Sequence, residues 1–146
     1  MNILMGIGNT LRRDDGVGMY IARKFRKDGW TVLACGTAPE NFSAVVRRER
    51  PKFLVLVDAA DMGLAPGETR VIPRSRIQDI GFGTHQLPLS HLILFLEDAA
   101  DSIILIGIQP EKTGDGEELS PEVQASADRL VDLLQDEELD EIPVFE

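Results

Sequence analysis

A chain of 146 residues that is 43% hydrophobic fits one soluble α/β-sized domain with a core of its own. Net charge is −10, unevenly spread: residues 1–110 carry 12 acids and 13 bases, residues 111–146 carry 13 acids and 2 bases. A nearly neutral body with an acidic end lacks the basic face that nucleic acid requires, the lone Cys35 excludes an intrachain disulfide, and neither a signal-peptide pattern nor a membrane-length apolar run is present. The expectation is a cytoplasmic protein without membrane insertion, its acidic end serving as a solvated helix face and solubilising tail.

The first apolar run, Ile3 to Ile7, reads as a strand buried on both faces. Gly6 and Gly8 allow a sharp turn or close approach at its end, and Asp14 and Asp15 follow just before a helical pattern. Over residues 16–28, Val17, Ile21 and Phe25 mark the buried stripe of a helix that Asp28-Gly29 ends. Trp30 to Cys35 reads as a second strand, with Trp30 as a packed edge residue. Thr37, Pro39 and Glu40 have the spacing of a capping box, opening a short helix that runs to about Glu49.

Phe53 to Val57 reads as the central strand, with Asp58 after it. Glu68 to Ile72 alternates like a half-exposed strand, and the short connection from the third strand makes it antiparallel. Residues 73–82 are polar with room for one helical turn. Pro88 opens a helix whose stripe is Leu89, Leu92, Ile93 and Leu96, and Ser102 to Ile108 is the fifth strand. Ser120-Pro121-Glu122 starts a last helix with Val123, Ala127, Leu130 and Leu134 on one face. The implied organisation is one domain over residues 1–135, followed by a flexible acidic tail over 136–146. Helices between most strands imply a three-layer α/β/α sandwich around a mostly parallel five-stranded sheet.

Three ionisable positions fall at element ends on one presumed edge: Asp14 or Asp15 after the first strand, Asp58 after the third, and His85 before a helix. Open α/β sheets place their sites there, where neighbouring crossovers leave a crevice. Two carboxylates and an imidazole suit a borderline divalent cation and leave a position for water or substrate. Equally, Asp15 could serve as a helix cap, Asp58 as a turn former and His85 as a half-buried polar residue. Leu11 stands where a dinucleotide motif needs its third glycine, and no P-loop or serine elbow occurs. A Cys35–His85 pair has no local support, and a lone cysteine at a strand end serves as small apolar filler.

At these residues the chain resembles the hydrogenase maturation endopeptidases, specifically the type serving energy-converting nickel–iron hydrogenases. The likeness runs through Gly6-Ile7-Gly8-Asn9-Thr10-Leu11-Arg12-Arg13-Asp14-Asp15-Gly16-Val17-Gly18, Ala38-Pro39-Glu40-Asn41 and Val57-Asp58-Ala59-Ala60-Asp61-Met62-Gly63. It continues through Pro66-Gly67-Glu68, Thr84-His85, Pro88-Leu89 and Gly107-Ile108-Gln109-Pro110. The resemblance implies a mixed sheet of order 2-1-3-5-4 with strand four antiparallel. It also implies aspartyl-type endopeptidase activity that removes the C-terminal extension of a hydrogenase large-subunit precursor.

In such enzymes Asp15, Asp58 and His85 contact nickel (Ni2+) that the precursor itself carries, so no tightly bound cofactor is expected, although Zn2+ or Cd2+ could occupy the same ligands. Gly6, Gly8, Asn9, Gly16 and Gly18 shape the cleft, with Asp61 and Gln109 at its border. The nucleophile stays open, as does whether nickel activates water or only docks the substrate. Two alternatives remain beside this one: a hydrolase with its own Zn2+ or Mn2+, and a non-catalytic nickel-sensing module. The default oligomeric state is a monomer.

Overall fold

A computed structural model describes residues 1–83 and 88–146. The strands are β1 (Asn2–Ile7), β2 (Trp30–Gly36), β3 (Phe53–Asp61), β4 (Thr69–Val71), β5 (Gly81–Phe82) and β6 (Ser102–Ile108). The helices are α1 (Val17–Lys24), α2 (Ser43–Glu49), α3 (Leu89–Leu96) and α4 (Pro121–Gln135), with short 3-10 turns between elements. The main sheet has the order β2-β1-β3-β6-β4. β1 pairs in parallel with β2 and β3, and β3 with β6, whereas β4 runs antiparallel to β6. A two-residue strand that the sequence does not announce, β5, pairs antiparallel with the end of β3, Ala60 opposite Phe82.

Alternation along the central strands divides the core in two. Ile3, Met5, Leu54 and Leu56 face one cluster, which α2 and α3 complete with Val46, Leu89, Leu92, Ile93 and Leu96. Leu4, Val55 and Val57 face the other, completed by Val17, Ile21 and Phe25 around α1 and by Val123, Ala127, Leu130 and Leu134 of α4. Every stripe residue expected on α1, α3 and α4 is buried, and in the α2 stripe Val46 is buried while Phe42 and Val45 are half-buried. The central strands are covered on both faces, which is why they lack polar alternation. Trp30 opens the edge strand β2 and meets the Phe25 ring edge-on, with centroids 5.2 Å apart.

Several expectations shift. The capping box at Thr37 does not form: residues Pro39–Phe42 make a 3-10 turn whose N-cap is Ala38, with no side-chain cap bond. Asp58 lies inside β3, not after it, because pairing with β6 continues through Ala59↔Ile108 and β5 takes the strand's last residues. The end of the chain is also not a free tail. The Val71 N–H donates to the Pro143 carbonyl (2.9 Å) and the Phe145 N–H to the Val71 carbonyl (2.9 Å), so the chain's end pairs in parallel with edge strand β4. Ile142 joins the α1/α4 cluster and Phe145 the opposite one, so this segment straddles the sheet edge. An edge strand offers unpaired backbone groups, and apolar residues 142–145 can cover them once the acids 136–141 are past.

The first helix sits unusually close to the sheet. A Cβ on Gly18 would collide with the backbone carbonyl oxygens of Ile7 and Val57. Alanine ordinarily favours a helix over glycine by about 1 kcal/mol. Here the clash reverses that sign. Gly18→Ala should destabilise the protein by about 2–3 kcal/mol, read as a lower urea midpoint with an unchanged slope.

Candidate functional site

The loop from β1 to α1 carries the candidate carboxylates and is held by its own backbone. Asn9 Oδ1 accepts the Leu11 N–H (2.9 Å), and the Asn9 N–H donates to the Asp15 carbonyl (3.1 Å). Gly8, at φ +151°, lies so close to the Asp15 carbonyl that a side chain there would collide with it. Gly6 meets the Gly18 carbonyl at similarly short range, and Gly16 packs tightly against the Thr10 backbone. These glycines and Asn9 therefore shape the β1–α1 turn. The 3-10 turn Arg13–Gly16 then presents Asp14 and Asp15.

The two acids part company completely. Asp14 is fully buried and accepts four hydrogen bonds: from the Glu111 N–H (2.9 Å), the Lys112 N–H (2.9 Å), the Ser120 N–H (2.7 Å) and the Ser120 hydroxyl (2.8 Å). Ser120, the N-cap residue of α4, spends its hydroxyl on this carboxylate and makes no side-chain cap bond. Asp15 is 3% exposed, yet its Oδ2 is buried with no hydrogen-bond partner among the described residues. Burying a carboxylate oxygen unpaired is costly, and a bound ion or a catalytic role is among the reasons a fold keeps one. Asp14 is thus saturated by hydrogen bonds, whereas Asp15 keeps one carboxylate oxygen without a partner among the described residues.

Asp58 is fully buried on β3 opposite Gly107 of β6. It stands one residue beyond Val57, the last β3 residue to pair with β1, at the point where β1 parts from β3. The 3-10 turn that carries Asp15 packs against β3. His85 lies outside the described residues. Two residues before it, Gly83 passes so close to the Asp15 carboxylate that a Cβ there would overlap Oδ1. Among the described residues no group of three or more His, Cys, Asp or Glu is arranged to hold a metal ion.

Asp15 opens onto a cavity of about 400 Å3, lined also by Arg12, Ala59, Asp61, Phe82, Pro110 and Thr113. Gln109, at the end of β6, braces its border. Gln109 Oε1 accepts the Met62 N–H (2.6 Å) and the Leu64 N–H (3.2 Å), while Nε2 donates to Asp61 Oδ1 (3.1 Å). Asp61 thus lines the cavity, and Gln109 holds the turn that follows β3. A second cavity of about 420 Å3, between β4, α4 and the C-terminal segment, shares no lining residue with the first.

Comparison with known proteins gives the fold a family. The family model described as hydrogenase maturation protease matches residues 17–137. The chain belongs to the hydrogenase maturation protease family. It is similar to the hydrogenase 3 maturation protease of Escherichia coli, with 40% identity over 117 residues, 77% of this chain and 75% of that one. It is also similar to a putative hydrogenase maturation protease of Methanocaldococcus jannaschii, with 33% identity over 90% of this chain and 85% of the relative. The solution structure of the endopeptidase HycI from Escherichia coli superposes with a TM-score of 0.91 at 33% identity, covering 100% of this chain and 97% of that one. These likenesses support endopeptidase activity for this family member. No helix among the described residues is long and apolar enough to cross a membrane.

Cys35 stands apart from this chemistry. It is buried, its thiol donates weakly to the Leu33 carbonyl at 3.5 Å, and burial pushes its pKa up to about 12. A thiol so protonated is a poor nucleophile at neutral pH. Iodoacetamide at pH 8 should therefore modify native protein far more slowly than urea-unfolded protein, measured by intact mass. The contrast between the adjacent acids predicts opposite stability effects. Asp14→Asn turns an acceptor into a donor facing donors and should cost about 2–3 kcal/mol. Asp15→Asn should leave stability unchanged or raise it by up to about 1 kcal/mol. Urea denaturation of the two variants at pH 7 compares them directly.

Proposed function

We propose that this chain is a processing endopeptidase that removes the C-terminal extension from the nickel-loaded precursor of a nickel–iron hydrogenase large subunit. The observation that carries the reading is the buried Asp15 oxygen left without a partner at a cavity, in a member of the hydrogenase maturation protease family. In this reading Asp15, Asp58 and His85 contact nickel that arrives with the substrate. The Escherichia coli relative's hydrogenase 3 assignment supports a precursor of that type. The active form is a monomer in the cytoplasm.

A substrate-borne cation gives a form of selectivity that a side-chain pocket alone does not. The unpartnered Asp15 oxygen gains a counter-charge only when a loaded precursor docks, so in this reading an empty precursor docks poorly and a loaded one docks well. A divalent ion at the scissile bond can polarise the carbonyl or lower the pKa of a water. The chain's own contribution is to hold its ligands: the backbone bonds around Asn9 fix the Asp15 turn, and continued β3–β6 pairing fixes Asp58.

Incubation with nickel-loaded and nickel-free precursor, followed by intact mass, tests this. The loaded form should yield a product lighter by the extension, and the empty form none. Asp15→Ala and His85→Ala enzyme should yield no product from either. Equal cutting of both precursors would reject nickel recognition, and stoichiometric metal retained by the purified enzyme would point to a metal of its own.

A further inference from the structure

The charged groups lining the Asp15 cavity, among the described residues, are Arg12, Asp15 and Asp61. Asp61 is tied to the Gly63 N–H and to Gln109, and Asp15 is the carboxylate offered to the cation in the reading above. The Arg12 side chain has no partner among the described residues and no role in that reading. Its neighbours show what a committed arginine looks like here. Arg13 donates through Nε to the Asp115 carbonyl (2.9 Å), and Arg70, Arg74 and Arg76 each pair with a carboxylate.

The Arg12 backbone, by contrast, is firmly held. Its N–H donates to the Asn9 carbonyl (3.1 Å), its carbonyl accepts the Asp15 N–H (3.1 Å), and the residue bridges to Gly116. The next residue, Arg13, adopts a left-handed φ of 49° and its N–H donates to the Gly116 carbonyl (2.8 Å), which stiffens the turn from its far side. Leu11, on the same turn, is 63% exposed. The turn thus presents an exposed apolar side chain beside an arginine that has no side-chain partner among the described residues and lines the cavity.

We infer that Arg12 is a specificity-determining residue that takes a carboxylate side chain of the precursor next to the scissile bond. This rests on the endopeptidase reading. A chain segment that fills the cavity strips water from the guanidinium, and an uncompensated charge there opposes docking. An Asp or Glu side chain removes that cost, since guanidinium and carboxylate match as a two-pronged pair. A neutral or basic residue at that substrate position leaves the cost in place, so the pair selects among precursors as well as binding them.

Steady-state cleavage of the nickel-loaded precursor tests the pairing. Arg12→Ala should raise KM about tenfold with a much smaller change in kcat, and Arg12→Lys should recover part of the loss. The KM of unmodified enzyme should rise with ionic strength, and Arg12→Ala should flatten that dependence. Replacing each Asp and Glu flanking the scissile bond by Ala, one at a time, should identify one that reproduces the KM defect with unmodified enzyme and adds nothing with Arg12→Ala. An unchanged KM in Arg12→Ala, full additivity at every acid, or efficient processing of a precursor with no flanking acid would overturn the inference. If unmodified enzyme fails to cut the loaded precursor at all, it is the endopeptidase reading that fails. Arg12→Gln, with melting temperature measured alongside, separates lost pairing from lost folding.

Discussion

The buried carboxylate of Asp14 joins three parts of the chain. Its oxygens accept from backbone N–H groups at positions 111, 112 and 120 and from the Ser120 hydroxyl. Hydrogen bonds to an ionised acceptor are stronger than neutral ones, and four together offset the loss of water from one carboxylate. The β1–α1 turn, the loop after β6 and the start of α4 are thereby locked to one another. Asp15 inherits its position from this arrangement. Adjacent residues on a tight turn point apart, so fastening one acid inward leaves the other to face the cavity.

The crevice itself comes from strands of unequal reach. β1 stops pairing with β3 at Gly6↔Val57, while β3 and β6 continue to Ala59↔Ile108. The chain leaving β1 folds back over that step and is admitted because glycines at positions 8, 16 and 18 let backbone pass against backbone. Gln109 performs for the β3 end what Asp14 performs for the β1 end, gripping the 62–64 turn from across the sheet. Sites of this family member are thus assembled from loop backbone held by buried polar side chains, and the residues that face solvent, Leu11 and Arg12, sit on a support that does not yield.

Much of the framework was legible in residue order. The stripes Val17/Ile21/Phe25, Leu89/Leu92/Ile93/Leu96 and Val123/Ala127/Leu130/Leu134 are all buried, because side-chain period is a local property of a helix. The short link before β4 correctly implied an antiparallel partner, since a parallel crossover needs more chain. Other features misled. Thr37 had cap spacing, yet the turn begins one residue later at Ala38. The acids of 136–141 drew attention from Ile142 and Phe145, whose burial depends on an edge strand formed seventy residues earlier in the chain order.

The chain's residue pattern determined by itself the order of strands and helices, the faces they bury and the motif-borne membership of a family. Those properties follow from spacing over a few residues. Tertiary structure alone decided which of two neighbouring aspartates is saturated by hydrogen bonds, and that residues 142–145 lie along the edge strand. The donors that saturate Asp14 lie 97 to 106 positions away. Local pattern carries no trace of which distant N–H groups will converge on a carboxylate, so only the folded chain distinguishes identical side chains standing side by side.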